Sequence, residues 1–298
     1  MTRRMNGLVA TGGFAAISFA FPPLLLMSLA SLALVTMRKG VREGAVVMAG
    51  CIALFVSVSL ITVQALKADL LIVALLWLMT WVVAQVYRVT SAPAWMINTV
   101  GLIGIAGVTG FYLVVTDPAG FWLVLLEQHL RPVFADQQLL SSEAELDQLM
   151  TTLASVLTGG MAALVSVVLI MSLLLARWWQ AMLYNPGGFR QEFHALRLGK
   201  GTATVLIVLL LVSMIGKFAI STDMATVLWL LYFFQGMAVV HSLIAAAGLS
   251  IGWLVSLYLL IALVPNYASP VISGLGLVDT WLDFRRRMPT KGKPDKTE

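Results

Sequence analysis

His241 stands midway along the apolar run 225–246, six residues after Gln235, while Asn98, Gln85, Gln64 and Lys217 lie nearer the ends of theirs. Polar groups inside hydrocarbon are costly, so such residues either hydrogen-bond a neighbouring helix or meet a ligand or proton. A neutral imidazole at mid-depth suits an uncharged or weakly acidic, largely apolar ligand, because the spans hold no carboxylate to balance a cation. Gln235 and His241 are about 240° apart on one helix and cannot aim at one ligand by themselves. A ligand pocket is therefore expected between the earlier and later parts of the chain, with His241 and Gln235 from the later part and Asn98 from the earlier one.

Chemistry beyond binding lacks its residues. No GxSG with a histidine, HExxH or pair of intramembrane aspartates occurs, so no catalytic residue is assigned. The three histidines, His129, His194 and His241, lie in separate segments and predict no metal site. Cys51 is the only cysteine, which excludes an intrachain disulfide and a CxxC site. A Walker A sequence is missing, so the chain does not hydrolyse ATP itself, and no cofactor is expected.

The elements that position these residues belong in a bilayer. Of 298 residues, 60% are hydrophobic and 11% charged, against about 25% charged in soluble domains. The mean hydropathy is +0.93. The net charge of +5 comes from short basic clusters between apolar runs, which is the mark of membrane topology and not of a nucleic-acid face. Apolar stretches fall at 8–21, 24–37, 45–65, 68–87, 92–116, 150–177, 201–221, 225–246, 249–264 and 268–285. The first, with Arg3 and Arg4 ahead of it, reads as an uncleaved span, and Pro22-Pro23 separates it from the second as a hairpin or a kink. With the hairpin, all 19 basic residues except Lys67, Arg131 and Lys217 fall on one side, opposite Asp69, Asp117, Glu127, Asp136, Glu143, Glu145, Asp147 and Asp223. The expected fold is an all-α polytopic transmembrane helix bundle of about ten helices with both termini cytoplasmic. Eight helices, with a kinked first span and an interfacial C-terminal helix, is the alternative.

The chain divides into a six-helix bundle over 1–177, a cytoplasmic amphipathic loop over 178–200, four further helices over 201–287 and a disordered tail over 288–298. Residues 117–149 form an acidic external segment, helical around Glu143–Met150, where Ser142 before Glu145 reads as an N-cap. In the loop, Phe189, Phe193 and Leu196 oppose Arg190, Arg197 and His194, a pattern expected to lie at lipid headgroups. Arg38, Arg42, Arg190, Arg197 and Arg285 make a basic cytoplasmic surface for anionic headgroups or a partner. Asp279 and Asp283 share a helical face, and Asp283 stands four residues before Arg287, the spacing of an ion pair. Small residues at Gly101, Gly104, Gly107 and Gly159-Gly160 predict close helix packing.

Three stretches together resemble a known family: Arg38-Lys39-Gly40-Val41-Arg42-Glu43-Gly44, Asn185-Pro186-Gly187-Gly188-Phe189-Arg190-Gln191-Glu192-Phe193, and Gly274 to Arg287. Over nearly its whole length the chain resembles the YybS-like family of bacterial membrane proteins, which is distantly similar to the substrate-binding (S) components of energy-coupling-factor transporters. The resemblance implies a multi-pass protein of the bacterial inner membrane and a six-helix unit lacking ATPase activity. It also implies a small-residue AxxxA patch on the first helix, made here by Ala16 and Ala20, facing a coupling subunit. The sequence departs from that pattern at Pro22-Pro23, which leaves no room for a long loop over a substrate, and in its four additional helices. The function expected is substrate capture for small-molecule uptake, with a non-transport scaffold or regulator bound to cytoplasmic partners as the alternative.

Overall fold

A computed structural model describes residues 2–61, 66–136 and 142–287, and among these every regular element is a helix. The helical form follows from the composition, since a chain in lipid must satisfy its backbone polar groups internally. The tail 288–298, residues 137–141 of the external segment, Gln64 and the side chains of Arg3, Lys67, Asp69 and Asp136 lie outside the described residues.

Helices α1 (Thr2–Ser18) and α2 (Leu24–Lys39) form the hairpin, with Pro22-Pro23 in its turn. The Ser28 hydroxyl joins them by donating to the Thr11 carbonyl at 2.7 Å and accepts from the Trp77 indole at 3.1 Å. Gly40, at φ 100°, reverses the chain into α3 (Val41–Ile61), which leads to α4 (Leu66–Thr90) and α5 (Pro93–Val114). Outside this group, α6 (Pro118–His129) is capped by Asp117, which accepts from the Gly120 amide at 3.0 Å, and α7 (Arg131–Asp136) follows.

The external helix expected around Glu143–Met150 and the span expected over 150–177 are one element: α8 (Glu143–Tyr184) runs unbroken for 42 residues, or about 63 Å. No proline interrupts it, and the polar first turns continue the register of the apolar ones. Ser142 is its N-cap, accepting from the Glu145 amide at 3.2 Å as the sequence pattern predicts. Arg131 braces this end against Glu127 at 2.6 Å, Glu143 at 3.1 Å and Asp147.

The remaining helices are α9 (Gly188–His194), α10 (Lys200–Gly216), α11 (Ala219–Ala246), α12 (Gly252–Leu263), α13 (Pro265–Leu282) and α14 (Phe284–Arg287). Among the described residues four helices are long and apolar enough to cross a membrane: Leu70–Thr90, Pro93–Val114, Glu143–Tyr184 and Ala219–Ala246. These are compatible with an integral membrane protein. The crossing expected over 249–264 is α12, whose 12 residues reach only about 18 Å against a hydrocarbon thickness of about 30 Å. Val264-Pro265 ends it, because proline cannot continue the hydrogen-bond ladder.

The core gathers on α2, α8 and α11, where Leu29, Leu32, Leu169, Leu173 and Tyr232 are fully buried. Small residues set the close approaches, as membrane packing requires. Gly101 and Gly104 of α5 lie on Leu231 and Val227 of α11, whereas Gly107 faces open space. The tightest contact is between α11 and α13, where Gly236 meets the Ile272 carbonyl and Gly276 meets the Tyr232 carbonyl and the Gly236 amide.

Candidate functional site: a cleft beside α9

The Asn185-Pro186-Gly187-Gly188 sequence makes the turn its composition predicts, with Gly187 at φ 88°. It returns the chain from α8 into α9, and α9 is locked by its polar side. Glu192 receives Arg177 Nε at 2.8 Å, a second Arg177 nitrogen, and the Tyr87 hydroxyl at 2.9 Å. Its other side stacks Phe189 on Phe193, with ring centroids 6.0 Å apart.

The linker after α9 is built into the bundle rather than spread along a surface, since Leu196 and Leu198 are buried. Asn98 Nδ2 donates to the Leu198 carbonyl at 3.0 Å, and the Leu198 amide donates to Gln235 Oε1 at 2.8 Å. Gln235 Nε2 continues to the Gly276 carbonyl at 2.7 Å and to Thr280 Oγ1 at 3.2 Å. Arg285 Nη1 holds the His194 and Leu196 carbonyls at 2.7 and 3.0 Å, and its other arm pairs with Asp279 at 2.6 Å. Asn98 and Gln235 thus converge on one backbone segment. Neither lines the cleft described next; they clamp the linker that forms its neighbour.

Between α8, α9, α11 and α12 lies a cleft of about 950 Å³. Its walls are Met171, Leu174 and Trp178 of α8, Phe189 and Phe193 of α9, Phe233, Met237 and Ile244 of α11, and Leu254, Tyr258 and Ile261 of α12. The polar groups are few: Arg190, His194, His241, Ser250 and the Tyr258 hydroxyl. No carboxylate lines it. Burial first, then the nearby Arg190, His241 and Arg285 charges, push His194 below the ordinary imidazole range.

His241 does line this cleft. It sits in the last turns of α11, level with α9, and not halfway along the helix as the apolar run alone implied. Its ring is edge-on to Phe193 and Tyr258, with centroids at 5.5 and 5.8 Å. Nδ1 lies 2.8 Å from the Met237 carbonyl, which can only accept, so Nδ1 carries the proton. Nε2 lies 3.2 Å from the Tyr258 hydroxyl, within hydrogen-bond distance. The histidine therefore ties α12 to α11 as well as facing the cleft.

Of the expected partner surface, Arg38, Arg42, Arg190 and Arg197 are exposed, with Arg38 stacked on the Tyr184 ring at 3.6 Å and Arg197 paired with Asp283, whereas the Arg285 side chain is buried against Asp279. The expected Asp283–Arg287 pair does not form, because α13 stops at Leu282 and Asp283 takes a left-handed conformation at φ 48°. Asp283 meets Arg197 and, at 3.2 Å, Arg286 instead.

Ala16 is exposed in the last turn of α1, which ends at Ser18, and Ala20 is exposed in the turn ahead of Pro22-Pro23, where its amide and that of Phe21 donate to the Ile17 carbonyl at 3.0 and 2.9 Å.

Asp223, which the charge count placed on the external side, is buried and paired, accepting from the Tyr112 hydroxyl at 2.7 Å and from the Gly159 amide at 3.1 Å. Its signal was present, since Asp223, Val227 and Leu231 share the inward stripe of α11 at four-residue spacing. Among the described residues no three His, Cys, Asp or Glu side chains gather as metal ligands. Compared with known proteins, the chain matches no family model, no curated protein and no solved structure.

Proposed function

We propose that this is a membrane-embedded capture protein that holds a largely apolar small molecule in the cleft between α8, α9, α11 and α12 and depends on a separate coupling protein for any energy input. The cleft carries this reading. Its volume of about 950 Å³ lies at the upper end of the roughly 300–1,000 Å³ of small-molecule sites, and its many apolar walls with few polar groups follow the same pattern. α12 supports it further: no side chain of α12 is buried, and the Tyr258–His241 contact is among the few polar ties holding it to the bundle. That wall is free to yield to an entering ligand. The exposed Arg38 and Arg42, which lie outside the cleft, remain for the partner.

Native mass spectrometry of the purified protein tests the reading. Wild type should release a retained small molecule, and Met237→Trp, which fills the cleft, should lower its occupancy at least about fivefold. Retention unchanged in Met237→Trp would remove the cleft from the account. The orientation is tested separately in a Cys51→Ala background. An impermeant thiol reagent added outside should label Glu143→Cys and spare Asn185→Cys, because the basic clusters belong in the cytoplasm. The reverse pattern would invert the topology.

A further inference from the structure

The polar groups of the cleft are gathered in one place: Arg190 and His194 of α9 lie beside His241, while the α11 lining before His241 (Phe233, Met237) and after it (Ile244, Ala245) is apolar. Every charged or titratable group in the lining, Tyr258 apart, is cationic or can become so. Arg190 makes no ion pair among the described residues, and its neighbour Glu192 is already committed to Arg177 and Tyr87. The rim is apolar and open: Met171, Trp178 and Ile251 are exposed by 45, 44 and 78%. On the capture reading, a mouth bordered by such residues opens toward the bilayer, the side from which an apolar occupant would arrive.

Resting on the capture reading, we infer that the ligand is an anionic membrane phospholipid, its acyl chain lying along Met171, Phe233, Met237 and Leu254 and its phosphate held by Arg190 and His194. The arginine supplies charge-assisted hydrogen bonds to phosphate oxygens. His194, beside Arg190 in the lining, offers an imidazole N–H as a second donor to the phosphate and needs no change of charge to do so. Without a carboxylate in the lining, a cationic lipid finds no counter-charge, and a zwitterionic one brings its ammonium toward arginine.

The test uses the full-length protein exchanged into detergent with equimolar phosphatidylglycerol and phosphatidylcholine, read by native mass spectrometry. Wild type should retain phosphatidylglycerol about tenfold over phosphatidylcholine. Arg190→Gln with His194→Gln should bring the two lipids level without lowering phosphatidylcholine retention, and Arg190→Lys should restore part of the preference. Inorganic phosphate at millimolar concentration should displace neither lipid. Equal retention of both lipids by wild type overturns the inference by itself, even if the double variant does not fold, and so does displacement by inorganic phosphate. If either occurs while Met237→Trp still empties the cleft, the capture reading stands and only the ligand class is wrong; if Met237→Trp leaves all lipid bound, both fail.

Discussion

Gly236→Ala is expected to destabilise the protein by about 3 kcal/mol, the upper part of the range for overpacking a filled site. The added Cβ would collide with the Ile272 carbonyl of α13, which is backbone and cannot rotate away. Gly276→Ala should act alike, since its Cβ would meet the Tyr232 carbonyl and the Gly236 amide. Gly274→Ala is the control: nothing lies near its Cβ, and removing a glycine from a helix interior gains up to about 1 kcal/mol. Unfolding curves in one detergent would separate the three. Equal behaviour of Gly236→Ala and Gly274→Ala would mean that α11 and α13 are not in close contact. The contact matters to the cleft because α12 is continuous in sequence with α13 and packs too lightly to be held otherwise.

The second large effect concerns the ion pair under the linker. Asp279 is fully buried and the Arg285 side chain only 7% exposed. Removing one partner of a buried pair leaves an uncompensated charge, so Arg285→Met should cost about 3–5 kcal/mol. Asp279→Asn combined with Arg285→Met should recover much of that loss, because no bare charge then remains. The double variant would still lack the Arg285 bonds to the His194 and Leu196 carbonyls, so recovery should stop short of wild type. Strictly additive losses in the double-mutant cycle would show that the two side chains do not interact.

These effects fall on residues of very different legibility. The helical membrane character follows from composition, the first hairpin from Pro22-Pro23, and the cap of α8 from Ser142 ahead of Glu145, all properties of adjacent residues. Gly101 and Gly104 are readable as packing residues for the same reason. What each polar side chain meets is another matter. Asn98 and Gln235 look alike in the sequence, as amides in apolar surroundings, and their common partner is the backbone of Leu198, about a hundred residues from Asn98. Main-chain groups carry no sequence signal, so the clamp reads as a ligand site. A helix boundary misled in one place: a single left-handed residue, Asp283, ended α13 and broke the spacing on which the Arg287 pair depended. His241 was readable as significant, and its place in the cleft depended on α9 folding back beside α11.

The most direct measurement of the capture of a membrane lipid in the cleft is photolabelling in native membranes with a lipid carrying a photoreactive group on its acyl chain, followed by peptide mapping of the adducts. Labels should concentrate on Leu174, Phe233, Met237 and Tyr258, which line the cleft, well above the exposed apolar positions Leu113 and Val114 at the end of α5. Labels spread over Leu113 and Val114 with none inside the cleft would contradict it.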